Sequence, residues 1–142
     1  MKRILSQLRD NSVALTSILI ALTSLAYNAW RYERTEHNQN VRAAAFELLL
    51  KIADFERVVF LSHYDRDATN GNPRTGWTYV IVINDFASVL PEPVGVRAGR
   101  LRDTWRDQWE GLMQDDDTAV DRIEVDIAAL REATLDTLRS LR

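Results

Sequence analysis

No glycine or proline precedes Gly71, and no charged residue stands between Asp10 and Arg31. Without strong helix breakers nothing interrupts one long helix, and an uncharged stretch of membrane length within it marks a segment able to cross a bilayer. That stretch, Asn11 to Trp30, reads NSVALTSILIALTSLAYNAW and holds 20 residues. At about 1.5 Å of rise per residue it reaches about 30 Å, just enough to span. Val13, Leu15, Ile18, Leu19, Ile20, Leu22 and Leu25 supply its apolar bulk, while Ser, Thr, Ala and Asn dilute it. Tyr27, Trp30 and Tyr32 gather at its C-terminal boundary, where amphipathic rings sit at headgroup level, and we read them as membrane-interface anchors.

Two other readings compete with a membrane span. Lys2 and Arg3 precede an apolar stretch that closes on Ser24-Leu25-Ala26, the small-x-small pattern of a cleaved signal peptide. A helix buried by its soluble neighbours would also be apolar. The aromatic cluster beyond the small-x-small site favours the span. Basic residues are balanced across it, with Lys2, Arg3 and Arg9 on one side and Arg31, Arg34 and Arg42 on the other. The short basic tail tips the expected topology toward tail inside and domain outside, which places the chain in the inner (plasma) membrane with its soluble part on the outer, periplasmic side.

Within the span, Ala14, Ser17, Ala21, Ser24 and Asn28 recur at spacings of 3 and 4 residues, so one face carries only small or polar groups. Small residues let helix backbones approach closely in lipid, and Ser or Asn can hydrogen-bond across the contact; the stripe reads as a helix-association face.

Beyond the span, Arg31 to Asn40 (RYERTEHNQN) is polar all round yet contains no breaker, so the helix is expected to run on as a solvated stalk. From Val41 the apolar pattern resumes at Val41, Ala45, Leu48, Ile52, Phe55 and Val59, the stripe of a core-facing helix that ends near His63. A turn-rich stretch, DRDATNGNPRTG, follows. Trp77 to Leu90 contains the β-branched and aromatic run Thr78 to Ile83, which locally prefers strand. No second run of that kind exists for it to pair with, so a short buried helix is expected. Pro91 and Pro93 then break the chain, with Pro93 suited to open the next helix. Val94, Ala98, Leu101, Trp105, Trp109 and Leu112 line one face of that helix. Asp and Thr of the Gln114 to Thr118 turn can cap a last helix, whose apolar side runs through Val120, Ile123, Ile127, Leu130, Thr134, Leu138 and Leu141.

The expected fold is therefore all-α: a short N-terminal tail (1–10), a single N-terminal transmembrane helix (11–30), a polar helical stalk (31–40) into which it continues, and a small antiparallel three- or four-helix bundle (41–142).

Chemistry-bearing residues are sparse. The chain has no Cys, hence no disulfide, thiolate metal site or cysteine nucleophile. With 18 basic residues against 21 acidic ones it lacks the basic field that nucleic acid binding requires. No phosphate-cradling glycine loop, G-x-S-x-G elbow or H-E-x-x-H pattern is present. We expect no catalytic residues, no metal site and no cofactor. Polar and titratable residues concentrate in the loop after the core helix, and His63, Tyr64, Asp65, Asp67, Asn70 and Arg74 are the candidate docking or ligand residues. As a calcium loop this stretch fails, because the count from Asp65 puts Asn70 where glycine is needed and Gly76 where the bidentate Glu belongs. The acidic group Asp115, Asp116, Asp117, Asp121, Glu124 and Asp126 reads as helix-start chemistry, and Trp77, Trp105 and Trp109 read as core.

The expected function is a non-enzymatic, single-pass, membrane-anchored interaction protein: an accessory or scaffold subunit, homo-oligomeric or docked in a larger membrane complex. A membrane-tethered sensor or ligand-binding module is the alternative, and an oligomeric pore subunit with Ser17, Ser24 and Asn28 facing a lumen is a third.

Overall fold

The computed structural model describes residues 11–67 and 69–141. The expected tail at 1–10, with Lys2, Arg3 and Arg9, lies outside the described residues. Among those described the chain is all helix: α1 (Ser12–His63), α2 (Pro73–Ser88), α3 (Val94–Leu112) and α4 (Asp117–Ser140), with no strand. Two compact units divide at Asn38, so that α1 contributes its first part to Met1–Asn38 and the remainder to Gln39–Arg142.

In the first unit every described residue up to His37 is exposed. The large apolar side chains of the uncharged run range from 47% exposed at Leu15 to 78% at Val13, so nothing among the described residues covers them. One helix is thus long and apolar enough to cross a membrane, with a mean hydropathy of 1.5 over an 18-residue window. Its hydroxyls turn back onto the helix itself. Thr16 Oγ1 donates to Ser12 O, Ser17 Oγ to Val13 O and Thr23 Oγ1 to Leu19 O, each at 2.8 Å. Such bonds satisfy a hydroxyl without any partner outside its own turn.

The second unit is a helical bundle. The stripe Val41, Ala45, Leu48, Ile52, Phe55 and Val59 of α1 is buried throughout. It meets Val80, Ile83 and Ala87 of α2, Leu101 and Trp105 of α3, and Ile123, Ile127 and Leu130 of α4 in one cluster. At its centre Trp105, fully buried, meets Phe55 edge-on with ring centroids 4.9 Å apart, a favourable aromatic geometry. Gly76 lets that indole lie against α2, since a Cβ there would fall 2.3 Å from Trp105 Cζ2. Trp77 and Trp109 are half-buried against the same core.

Trp77 to Leu90 lies in α2 up to Ser88, and its strand-favouring composition is overridden. The helix begins earlier than the apolar run does: Asn72 accepts a hydrogen bond from the Arg74 backbone N–H at 3.0 Å, and Pro73 occupies the first turn. Gly76, Val80, Ile83 and Ala87 then fall on one buried face at helical spacing. Pro93 precedes α3 rather than opening it. Asp116 caps α4, its Oδ1 accepting from Thr118 N at 2.9 Å and Ala119 N at 3.4 Å.

Candidate functional site

Helix α1 ends, α2 begins, α3 ends and α4 begins around two connections, 64–72 and 113–116, and side chains from both meet there. His63, the last residue of α1, is held between two carboxylates of the second connection and of α4. Its Nε2 is 3.1 Å from Asp117 Oδ1, whereas its Nδ1 is 4.0 Å from Asp115 Oδ1, too far for a hydrogen bond. Nδ1 is buried with no hydrogen-bond partner, and the side chain is only 10% exposed. The Tyr64 ring lies edge-on to the imidazole at 4.7 Å, and its hydroxyl donates to Glu124 Oε1 at 3.4 Å.

The two connections are tied more directly by the Arg66 guanidinium, which binds the Asp115 carboxylate. Both partners hold left-handed backbone, with φ of 53° at Arg66 and 60° at Asp115. Non-glycine residues bear a cost of about 1–3 kcal/mol in such regions and persist where surrounding contacts fix them. Here backbone bonds close the helix-end turn around each of them, Asp67 N donating to Leu61 O at 2.9 Å and Asp116 N to Gly111 O at 3.1 Å, and the exposed ion pair joins the two turns.

Two clefts flank this bridge. One, of about 550 Å³, is lined by Ser62, Asp67, Gly71, Pro73, Met113 and Gln114 together with the bridge. The other, of about 500 Å³, is formed by His63, Tyr64, Asp117 and the bridge.

Of the loop residues expected to dock a partner or ligand, His63 and Tyr64 enter this constellation. Asp67 and Asn70 fold their own loop: the Asp67 carboxylate accepts from Thr69 N at 2.9 Å, Asn70 N at 3.1 Å and Asn70 Nδ2 at 2.7 Å. Those donors, the Asn70 side chain first, hold the Asp67 carboxyl below its ordinary value. Asp65 and Arg74 are exposed. Glu124, through its charge first and then with partial burial of the ring, holds the Tyr64 phenol above its ordinary value. Asp115, Asp117 and Glu124 were not expected at this site. The acidic residues are visible in the sequence as a helix start, but the partners that reach them stand 49 and 60 positions away.

Chemically, the arrangement is a tie. The two carboxylates face opposite nitrogens of one imidazole, so they do not converge with it on a single ion, and no group of three or more metal-binding side chains occurs among the described residues. An imidazole oriented by a carboxylate is half of an acid-base device, but a working base must present its other nitrogen to a substrate. The other nitrogen of His63 is buried.

A second polar cluster lies between α3 and α4. Asp126 is 5% exposed and accepts from Thr104 Oγ1 at 2.5 Å, while Arg100 Nε lies 3.0 Å from its other oxygen. With both oxygens engaged, this carboxylate is satisfied within the helix pair.

The expected membrane features all lie in the first unit. Ala14, Ser17, Ala21, Ser24 and Asn28 are exposed along one side of α1. Tyr27 and Trp30 pack with centroids 6.1 Å apart, Arg34 lies 5.2 Å over the Trp30 ring, and Tyr32 is exposed beside them. The chain matches no protein-family model, no curated protein and no solved structure.

Proposed function

We propose that this chain is a single-pass protein of the inner membrane whose helical bundle, on the periplasmic side, serves assembly rather than catalysis, as an accessory or scaffold subunit. The observation that carries the proposal is the bare apolar segment of α1, none of whose 18-residue window is buried among the described residues. Such a surface in water would be an aggregation site; in lipid it is at ease. Tyr27, Trp30 and Arg34 support the reading, because a ring pair overlain by a guanidinium suits the headgroup layer. Hydroxyls that bond within their own helix lower the cost of burying Thr16, Ser17 and Thr23 in hydrocarbon. The small-residue face from Ala14 to Asn28 gives the segment a surface suited to another helix.

The test is fractionation of cells that express the full chain, followed by alkaline carbonate extraction and native mass measurement in mild detergent. Retention in the membrane pellet together with a mass above that of one chain is expected. A chain released by carbonate, or one that is monomeric without any co-purifying protein, defeats the proposal. Protease access from the periplasm reads the side on which the bundle lies.

A further inference from the structure

In the second unit α1 carries two apolar faces. One is the core stripe from Val41 to Val59. The other comprises Phe46, Leu50, Ala53, Arg57, Phe60 and Tyr64, which follow one another at 4, 3, 4, 3 and 4 residues. With 3.6 residues per turn, its centre lies about 140° round the helix from that of the core stripe. It is uncovered: Phe46 is 56% exposed, Leu50 58%, Phe60 50% and Tyr64 54%, and the last two rings pack on each other at 5.3 Å. Isolated exposed apolar residues such as Ile81 and Val125 are ordinary surface and need no partner. A row that keeps a seven-residue period is different, because it is the seam a helix presents to another helix alongside it.

The flanking charges identify the occupant. Arg42 and Glu47 stand on opposite sides of the stripe, five residues apart, at the two positions that meet across a parallel, in-register pair of identical helices. Their opposite signs make the face complementary to itself in that arrangement. Arg57 is the one charged member of the stripe, and the carboxylates beside it are engaged within the chain, Asp54 by Lys51 at 3.1 Å and Glu56 by Arg131. A single charged residue in such a seam sets register at some cost in stability.

We infer that Phe46, Leu50, Ala53, Arg57, Phe60 and Tyr64 form the seam of a parallel two-stranded coiled coil with a second copy of this chain. The inference rests on the membrane-anchored reading in one respect: copies inserted with one topology leave the bilayer in the same chain direction, and shared confinement raises the effective concentration that a short seam requires. It concerns the water-exposed stretch alone.

Because the chain lacks Cys, single cysteines placed in the full protein report contacts without background. In native membranes under mild oxidation, Leu50→Cys, Ala53→Cys and Phe60→Cys are expected to give disulfide-linked dimers, whereas Lys51→Cys and Val125→Cys remain monomeric. The double variant Leu50→Glu/Phe60→Glu, both at exposed positions, is expected to keep its helical content and lose the dimer, its mass in mild detergent falling to that of one chain. A dimer that persists in this variant, with no periodic cross-linking, overturns the seam and leaves membrane-anchored assembly standing. So does a stoichiometric second protein that shields these cysteines from maleimide, or shielding that lipid vesicles alone produce. Release of the wild-type chain by carbonate defeats the anchor, which the cross-linking pattern by itself does not address.

Discussion

Gly76→Ala and Gly99→Ala make the same chemical change within two helices, and the structure assigns them opposite signs. Helix preference alone favours alanine by about 0.5–1 kcal/mol at either position. A Cβ at Gly99 meets nothing within 4 Å, so that gain should be realised there. At Gly76 the new carbon would fall 2.3 Å from Trp105 Cζ2 and 2.8 Å from Cη2. The indole has no room to yield, because it is fully buried and Phe55 packs edge-on against it. Overpacking of this kind costs about 1–3 kcal/mol and, with a contact this short, the upper part of that range applies, so that after the helix gain Gly76→Ala is less stable by about 1–2.5 kcal/mol. For a bundle of this size each kcal/mol moves Tm by about 4–8 °C. Thermal and urea unfolding of the full chain in mild detergent, followed by far-ultraviolet circular dichroism, gives both values. A double-mutant cycle with Trp105→Phe adds a second check, since removing the outer indole atoms should shrink the Gly76→Ala penalty. Gly76→Ala matching or exceeding the stability of wild type, or losing no more than Gly99→Ala, would refute the close packing of α2 against Trp105.

Three further outcomes follow from the loops and caps. Asp116→Ala removes the cap of α4 and should lower stability by about 1 kcal/mol, read as a shift in the urea midpoint at unchanged slope. Because the folded-state value of Asp67 is depressed, its contribution is present above the ordinary carboxyl range and is lost as pH falls through the folded value. Asn70→Ala should therefore raise the pH at which the Asp67 carboxyl titrates by NMR, and an unmoved titration would contradict the loop geometry. Tyr64 runs the other way: its raised value gives a contribution present below the ordinary phenol range and lost as pH climbs through the folded value. Glu124→Gln should lower the alkaline midpoint of its ultraviolet titration.

The periodic parts of this fold are legible in the chain, and the parts made by juxtaposition are not. Val41 to Val59 reads as a core stripe because its spacing keeps one side apolar, and each of those residues is buried. Residues 78–83 are locally ambiguous; only the lack of a partner strand and the Asn72-Pro73 start resolve them into helix. The Arg66 to Asp115 bridge leaves no mark in sequence, since it depends on two connections arriving together and on left-handed backbone at residues other than glycine. Phe46, Leu50 and Phe60 are visible as apolar residues, yet they cannot be told from core until another face of the same helix is seen to fill that place.

The ties of the bundle are unevenly placed. Around the two connections, His63, Tyr64 and Arg66 all reach carboxylates of the stretch from Asp115 to Glu124. Midway along α4 Arg131 binds Glu56 of α1, and beyond Ser140, among the described residues, Leu141 O accepts one long bond, at 3.4 Å, from Arg42. Native proteins open in units of differing free energy, and amides exchange with solvent according to the opening that exposes them. The consequence is a gradient of protection along α4: amides near Val120 should exchange only in rare, large openings, and those near Leu138 in frequent, shallow ones. Fraying would then start at the C-terminal turn of α4 and proceed toward the end held by His63.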